Sequence, residues 1–276
     1  MPMPMPSPAA TGLPGPGDPC HLRAWRHCLA DGCATTVYLA EYDAATTSVR
    51  LAVLPRAQPL GAWCAGQGVR EAVVGGFFTR PGGVPLGELR TGGVRRRSVP
   101  FDRPWDARRA CVHVDGTEAR LGARPDFGEH PRGDLLQAGP LLARGGSVVV
   151  RDGGDPEGFS AASRQFDSDI TAGRYPRAAL GLAPGRILVV ACDGRSGNEA
   201  GLTLEELAHL LLELGAEDAI NLDGGGSTSL VCGGELQNVP RAAPGVTIPG
   251  GRPVATALVF EAVRNGSSRK VDVKNL

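Results

Sequence analysis

The run Asp223-Gly224-Gly225-Gly226-Ser227-Thr228-Ser229 sets a carboxylate beside three positions without side chains, then three hydroxyls. A carboxylate at the end of a strand stands where loops at a sheet edge commonly hold ligands. Glycine admits positive φ and lets a ligand come close to the main chain. Successive amides in such a turn can form an anion-binding concavity, to which Ser227 adds a hydroxyl donor. A second Asp-Gly pair, Asp193-Gly194, lies thirty residues upstream and is followed by Arg195.

Other chemistries fit less well. The GGGSTS run lacks the spacing of a GxSxG nucleophile elbow and the GK[ST] ending of a phosphate-binding P-loop. The histidines His21, His27, His113, His130 and His209 form no metal-ligand spacing. Asp167 and Asp169 in QFDSDI read as loop acids, because no further oxygen ligands accompany them. Seven cysteines, at 20, 28, 33, 64, 111, 192 and 232, are odd in number, widely spaced and free of CxxC pairs. They read as free thiols of a reducing compartment, with a local bridge among Cys20, Cys28 and Cys33 left open. No metal and no cofactor are expected.

The elements that would position these residues follow from patterning. GRILVVAC is a short apolar run that reads as a buried strand ending on Asp193. TLEELAHLLLELG reads as a helix, with Thr203 and Glu206 as a capping box and Gly215 at the C′ position. DAINLD reads as the next buried strand, ending on Asp223, and TSLVC as its pairing partner after the glycine turn. If the first two strands are parallel neighbours, both acids reach one edge of the sheet, where ligands commonly bind. Upstream, residues 35–43 and 48–54 read as a hairpin, and short strands are expected at 110–115, 135–142, 147–152 and 178–182. Arg95, Arg96 and Arg97 read as a solvated loop.

The totals agree with a soluble globular protein. The 276 residues are 42% apolar and 21% charged, and 29 basic residues balance 29 acidic ones. No overall field draws nucleic acid or an anionic membrane, so any anion recognition must be local. The proline-rich N-terminus has neither the basic nor the apolar region of a secretion signal, and a cytoplasmic location is expected. The expected organisation is an extended leader over 1–34, a single domain over 35–264 and a polar tail over 265–276.

Several blocks together resemble the phosphodiester glycosidase family. They are GGFF at 75–78, AGPLL at 138–142, RAALG at 177–181, CDGR at 192–195, the stretch from Gly201 through INLDGGGST, and the closing GGRPVATALVF. The family includes an enzyme that removes N-acetylglucosamine from a phosphodiester on lysosomal glycans. The resemblance implies an α+β fold, a mixed β-sheet with packed helices. It also implies hydrolysis of the anomeric bond of a sugar 1-phosphodiester, the substrate being a small molecule or a glycan. On it Asp223 is nucleophile or base and Asp193 assists. Arg177, Arg195 and the loop Gly224, Gly225, Gly226 and Ser227 take the phosphate, while Gly75 and Gly76 let the sugar approach the backbone. Two departures stand out: Val74 occupies the family's Asn position and Ala178 its Thr position. They favour an alternative, a non-catalytic protein that binds a sugar phosphate or nucleotide sugar. A glycosidase using the same cleft without a phosphate on the leaving side is a third reading.

Overall fold

The computed structural model describes residues 20–160 and 170–263. The Asp167 and Asp169 pair lies outside the described residues. Among those described, the protein is mostly β-structure with two α-helices, Leu60–Gln67 and Leu204–Glu213. The expected mixture of helix and sheet is thus weighted far toward sheet. Among the described residues every strand ladder is antiparallel, where a mixed sheet was expected.

A seven-stranded sheet runs in the order Cys20–Cys28, Ala34–Asp43, Arg186–Cys192, Arg177–Ala183, Asp218–Asn221, Leu141–Arg144 and Ser147–Val148. A five-stranded sheet runs Glu235–Leu236, Leu230–Cys232, Ala72–Val74, Val254–Ala262 and Thr47–Gln58. Another five-stranded sheet is built around Asp134–Gln137 and Ala110–Asp115. The expected leader is corrected at its C-terminal part: Cys20–Cys28 pairs along its whole length with Ala34–Asp43.

The apolar run 186–192 has no polar alternation because both of its faces are covered. Ile187, Val189 and Ala191 enter a core shared by the three larger sheets, while Leu188, Val190 and Cys192 pack on the helix side. The helix Leu204–Glu213 forms as its sequence dictates. Glu206 N–H donates to Thr203 Oγ1 at 3.1 Å, and Thr203 N–H donates to the Glu206 carboxylate at 2.9 Å. Leu204, Leu207, Ala208, Leu210 and Leu211 are buried against the sheet. Each leucine so buried contributes about 1.5–3 kcal/mol. Gly215, at φ 96°, turns the chain out of the helix. No described helix is long and apolar enough to cross a membrane.

Three local expectations are corrected in the same way. Ala34–Asp43 and Thr47–Gln58 are consecutive but lie in different sheets, so they form no hairpin. The run 135–142 is two strands of different sheets, separated at Ala138-Gly139-Pro140. Leu230–Cys232 pairs with Ala72–Val74 and not with Asp218–Asn221, so the glycine-rich loop crosses between sheets. The two acid-bearing strands do run in the same direction, but they are not neighbours. Arg177–Ala183 lies between them and is antiparallel to both.

Candidate active site

Because one strand intervenes, Asp193 and Asp223 leave the seven-stranded sheet at the same edge and flank the start of Arg177–Ala183. Arg177 pairs across the ladder with Cys192, and Leu222 N–H donates to Ala178 O at 2.9 Å. The Asp223 main chain is then fixed from the second sheet, its N–H donating to Gly75 O at 2.9 Å.

The Asp223 side chain is partly buried and accepts the Gly224 amide at 2.9 Å. Burial pushes its pKa up to about 6; the nearby Ser227 hydroxyl, the Gly224 amide and the guanidiniums of Arg252 and Arg80 pull it partly back. The Ser227 hydroxyl stands near without a well-formed hydrogen bond, and Ser227, Thr228 and Ser229 are all fully buried. The hydroxyl cluster therefore faces the interior.

The three glycines have a packing reason each. A Cβ on Gly224 would come within 2.9 Å of Pro176 O. One on Gly225, which also holds φ 60°, would meet Arg195 Nη1 at 3.1 Å, and one on Gly226 would meet Arg252 Nη2 at 3.1 Å and Ile248 Cδ1 at 2.9 Å. Two guanidiniums thus occupy the space that side chains would fill. The loop amides are spent nearby: Gly225 N–H donates to Pro176 O, Ser227 N–H to Gly224 O and Thr228 N–H to Gly225 O. Positive charge at this site comes from side chains more than from an open nest of amides.

Arg195 carries that charge. It has φ 59°, and its Nη1 donates to Ala242 O at 2.5 Å and Arg241 O at 3.2 Å. Its guanidinium lies 5.1 Å from the Tyr175 ring centroid. Burial lowers its pKa first, and the like charges of Arg252 and Arg80 lower it further. A cavity of about 670 Å³ opens beside it, lined by Arg174, Tyr175, Glu199 and Pro244 among others. Arg80, Arg252 and Tyr175 are the site residues that the sequence reading missed. Each arginine precedes a proline in a glycine-rich loop, a signal for a turn that says nothing of what the guanidinium faces.

Arg177 is placed differently from the sequence expectation. It is 3% exposed, and its Nε donates to Leu202 O at 3.1 Å while Nη2 donates to Ile170 O and Gly173 O. Burial lowers its pKa to about 10. These bonds make it a clamp on the loops behind the site. Gly75 and Gly76 are buried as well. A Cβ on Gly75 would lie 2.5 Å from Thr256 Oγ1, and one on Gly76 would lie 3.0 Å from Leu136 Cδ1. Their bareness serves close contact between strands. Val74 and Ala178 are fully buried in the shared core.

Asp193 is 4% exposed and has both oxygens engaged. Oδ1 accepts the Val239 amide at 2.7 Å and Oδ2 accepts the Tyr38 hydroxyl at 3.3 Å. Burial raises its pKa, and the Glu199 carboxylate adds to the rise against the Val239 bond.

Comparisons with known proteins agree with this architecture. The family model described as phosphodiester glycosidase matches residues 67–261. The N-acetylglucosamine-1-phosphodiester alpha-N-acetylglucosaminidase of Bos taurus is 30% identical over 180 residues, covering 63% of this chain and 33% of that protein. The Homo sapiens protein of the same name is 32% identical over 117 residues, covering 41% and 22%. The chain spans a third or less of the length of these two relatives. The zebrafish N-acetylglucosamine-1-phosphodiester alpha-N-acetylglucosaminidase catalytic domain, auto-inhibited by its pro-peptide, superposes with a TM-score of 0.66 at 18% identity, covering 92% of this chain and 87% of that one. A hypothetical protein from Synechocystis gives 0.57 at 21% identity, covering 88% and 62%. At these identities the structural likeness is one of fold.

Proposed function

The chain belongs to the phosphodiester glycosidase family, and from that premise we propose that it hydrolyses the anomeric C–O bond of a sugar 1-phosphodiester. The products are the free sugar and a phosphomonoester. The observation that carries the proposal is the pairing of Asp223, with its pKa raised to about 6, with the guanidiniums of Arg195 and Arg252 packed against the same glycine loop.

Phosphate leaves readily, so the demand falls on two other places. Positive charge develops at the anomeric carbon, where the ionised Asp223 carboxylate stabilises it, either by direct attack or by taking a proton from the incoming water. Negative charge grows on the departing phosphate, where the arginines stabilise it in a partly desolvated setting. Arg177 and Asp193 act through position, the first by holding the 170–173 and 202 loops, the second by tying residues 38 and 239 to the sheet edge.

The test is release of free sugar from a panel of sugar 1-phosphodiesters by the wild type and Asp223→Asn. Turnover in the first and its loss in the second supports the proposal. A second reading, a protein that binds sugar phosphates without turnover, is favoured by Val74, whose buried hydrocarbon replaces the family's amide. It predicts no sugar release from any member of the panel, with the same ligands still raising the Tm of both proteins.

A further inference from the structure

Far from Asp193 in the chain, three potential ligand groups meet where the first sheet ends against the second. Cys20 Sγ lies 2.8 Å from Cys232 Sγ, and a Glu71 carboxylate oxygen lies within 4.8 Å of both. All three residues are buried. The topology explains the meeting. Cys20 opens the first strand opposite Tyr42, and Cys232 closes the strand Leu230–Cys232, beside Ala72–Val74. Tyr42 stacks on Phe260 at 4.5 Å between ring centroids and donates its hydroxyl to Glu71 Oε2 at 3.0 Å.

Two kinds of chemistry suit such a cluster, and the geometry separates them. Two thiolates bound to one tetrahedral zinc, each about 2.3 Å from the metal, stand roughly 3.8 Å apart. The sulfurs here are closer than that. Glu71 is also already engaged, with Oε1 accepting the Gly233 amide at 2.8 Å and Oε2 the Tyr42 hydroxyl. Two sulfurs in direct contact with no atom between them are placed to bond to each other.

We propose that Cys20 and Cys232 form a disulfide that ties the first strand of the seven-stranded sheet to the strand following the Asp223 loop. The oxidant is a small-molecule disulfide. One protein thiolate attacks it, forming a mixed disulfide and releasing one small thiol; the second then displaces the other small thiol. Two S–H bonds break, one protein S–S bond forms, and the two electrons and two protons end on the two small thiols. Contact with Cys20 and burial hold the Cys232 thiol well above its usual range. The exchange therefore belongs to the stage of folding before the Cys20–Cys28 strand docks. All seven cysteines stand as free thiols in the structure, and the proposed bond joins two of them on oxidation.

The experiment is refolding of the full chain with oxidised glutathione, followed by tryptic mapping without reductant. A linked pair of peptides, one ending at Arg23 and the other at Arg241, is the expected result. It should be accompanied by a Tm on the order of 10 °C higher, reversed by dithiothreitol. Cys20→Ala and Cys232→Ala should each lose both the linkage and the reductant-sensitive shift, whereas Cys28→Ala should keep them. Full alkylation of Cys20 and Cys232 by iodoacetamide after the same refolding overturns the proposal. So does one equivalent of zinc that survives dialysis in the wild type but not in Cys20→Ala. The mapping uses wild-type protein, so it decides the matter even if a variant fails to fold.

Discussion

Asp193 and Asp223 present the same local sequence, an apolar strand running into Asp-Gly, and end in different environments. Asp193 is almost fully buried and has a donor on each oxygen, from two separate parts of the chain. Asp223 is partly buried, accepts the amide of its own successor, and lies within the influence of Arg252 and Arg80. A carboxylate whose acceptors are all used holds structure together. One that keeps lone pairs near solvent and cations can do chemistry. The same contrast separates the arginines: Arg177, itself buried, is locked on three main-chain carbonyls, and Arg195 borders a cavity.

The largest effect that could break this comparison is on turnover. Asp223→Asn should lower kcat by about 10³-fold or more, equivalent to roughly 4 kcal/mol, with the Tm unchanged or raised at neutral pH. For the wild type, kcat/KM should rise with pH through about 6, as Asp223 ionises. Stability should move the other way. The folded pKa lies above the unfolded one, so the folded state binds the proton more tightly, and stability falls as pH rises from about 4 to about 6. The loss should be about 2 kcal/mol larger in the wild type than in the Asn variant, after allowance for screening, because Asp193 and Glu157, whose folded pKa values are also raised, contribute to both proteins. Urea denaturation of both proteins at pH 4 and pH 7 measures it. A rate that falls with pH across the same window would make Asp223 an acid instead.

Next in size is Arg177→Ala, which should cost about 3 kcal/mol of stability by removing a buried side chain and its three bonds to the main-chain carbonyls of Ile170, Gly173 and Leu202. Arg195→Ala should cost about 1 kcal/mol and instead raise KM for the phosphodiester. Paired Tm and KM measurements separate the two; a large KM effect with little loss of Tm for Arg177→Ala would move it into the phosphate site. Gly225→Ala comes third, at about 1–2 kcal/mol, because alanine pays for φ 60° and its Cβ would crowd Arg195. Thermal denaturation checks it.

The sequence disclosed the helix Leu204–Glu213 and its caps, a strand at 178–182, the buried strand 186–192 and the shared edge of the two acids. Each rests on a local signal: Thr203 with Glu206, an unbroken apolar run, an Asp-Gly stop. What it could not disclose is which sheet a strand joins. The turn after Asp43, the Gly139-Pro140 break and the loop after Asp223 carry the same polar and glycine signals whether the chain folds back or crosses over. The triple glycine was legible as a site of close approach, but the approaching groups, Arg195 and Arg252, come from distant loops. The Arg177 clamp was hidden for the same reason, since its acceptors at 170, 173 and 202 are main-chain atoms that no side-chain pattern marks.

The smallest effect sharpens the comparison most closely. Tyr38→Phe removes the donor to Asp193 Oδ2 and leaves the Val239 amide on Oδ1. The loss should be about 1 kcal/mol, as for one hydrogen bond to a charged group at long range. Its pH dependence carries the information. Asp193 already has a folded pKa above the ordinary carboxylate value, so its ionisation costs stability as pH rises past the unfolded value. Without the tyrosine hydroxyl the charged form is held less well, so that cost deepens. The difference between wild type and variant should therefore be near zero at pH 3 and fully developed by pH 8. Tyr38 itself does not titrate in this range, since burial and Asp193 push its pKa up to about 12. A difference that stays constant from pH 3 to pH 8 would mean that the hydroxyl does not support the Asp193 charge, and the assignment of Asp193 as the structural member of the pair would then rest on Val239 alone.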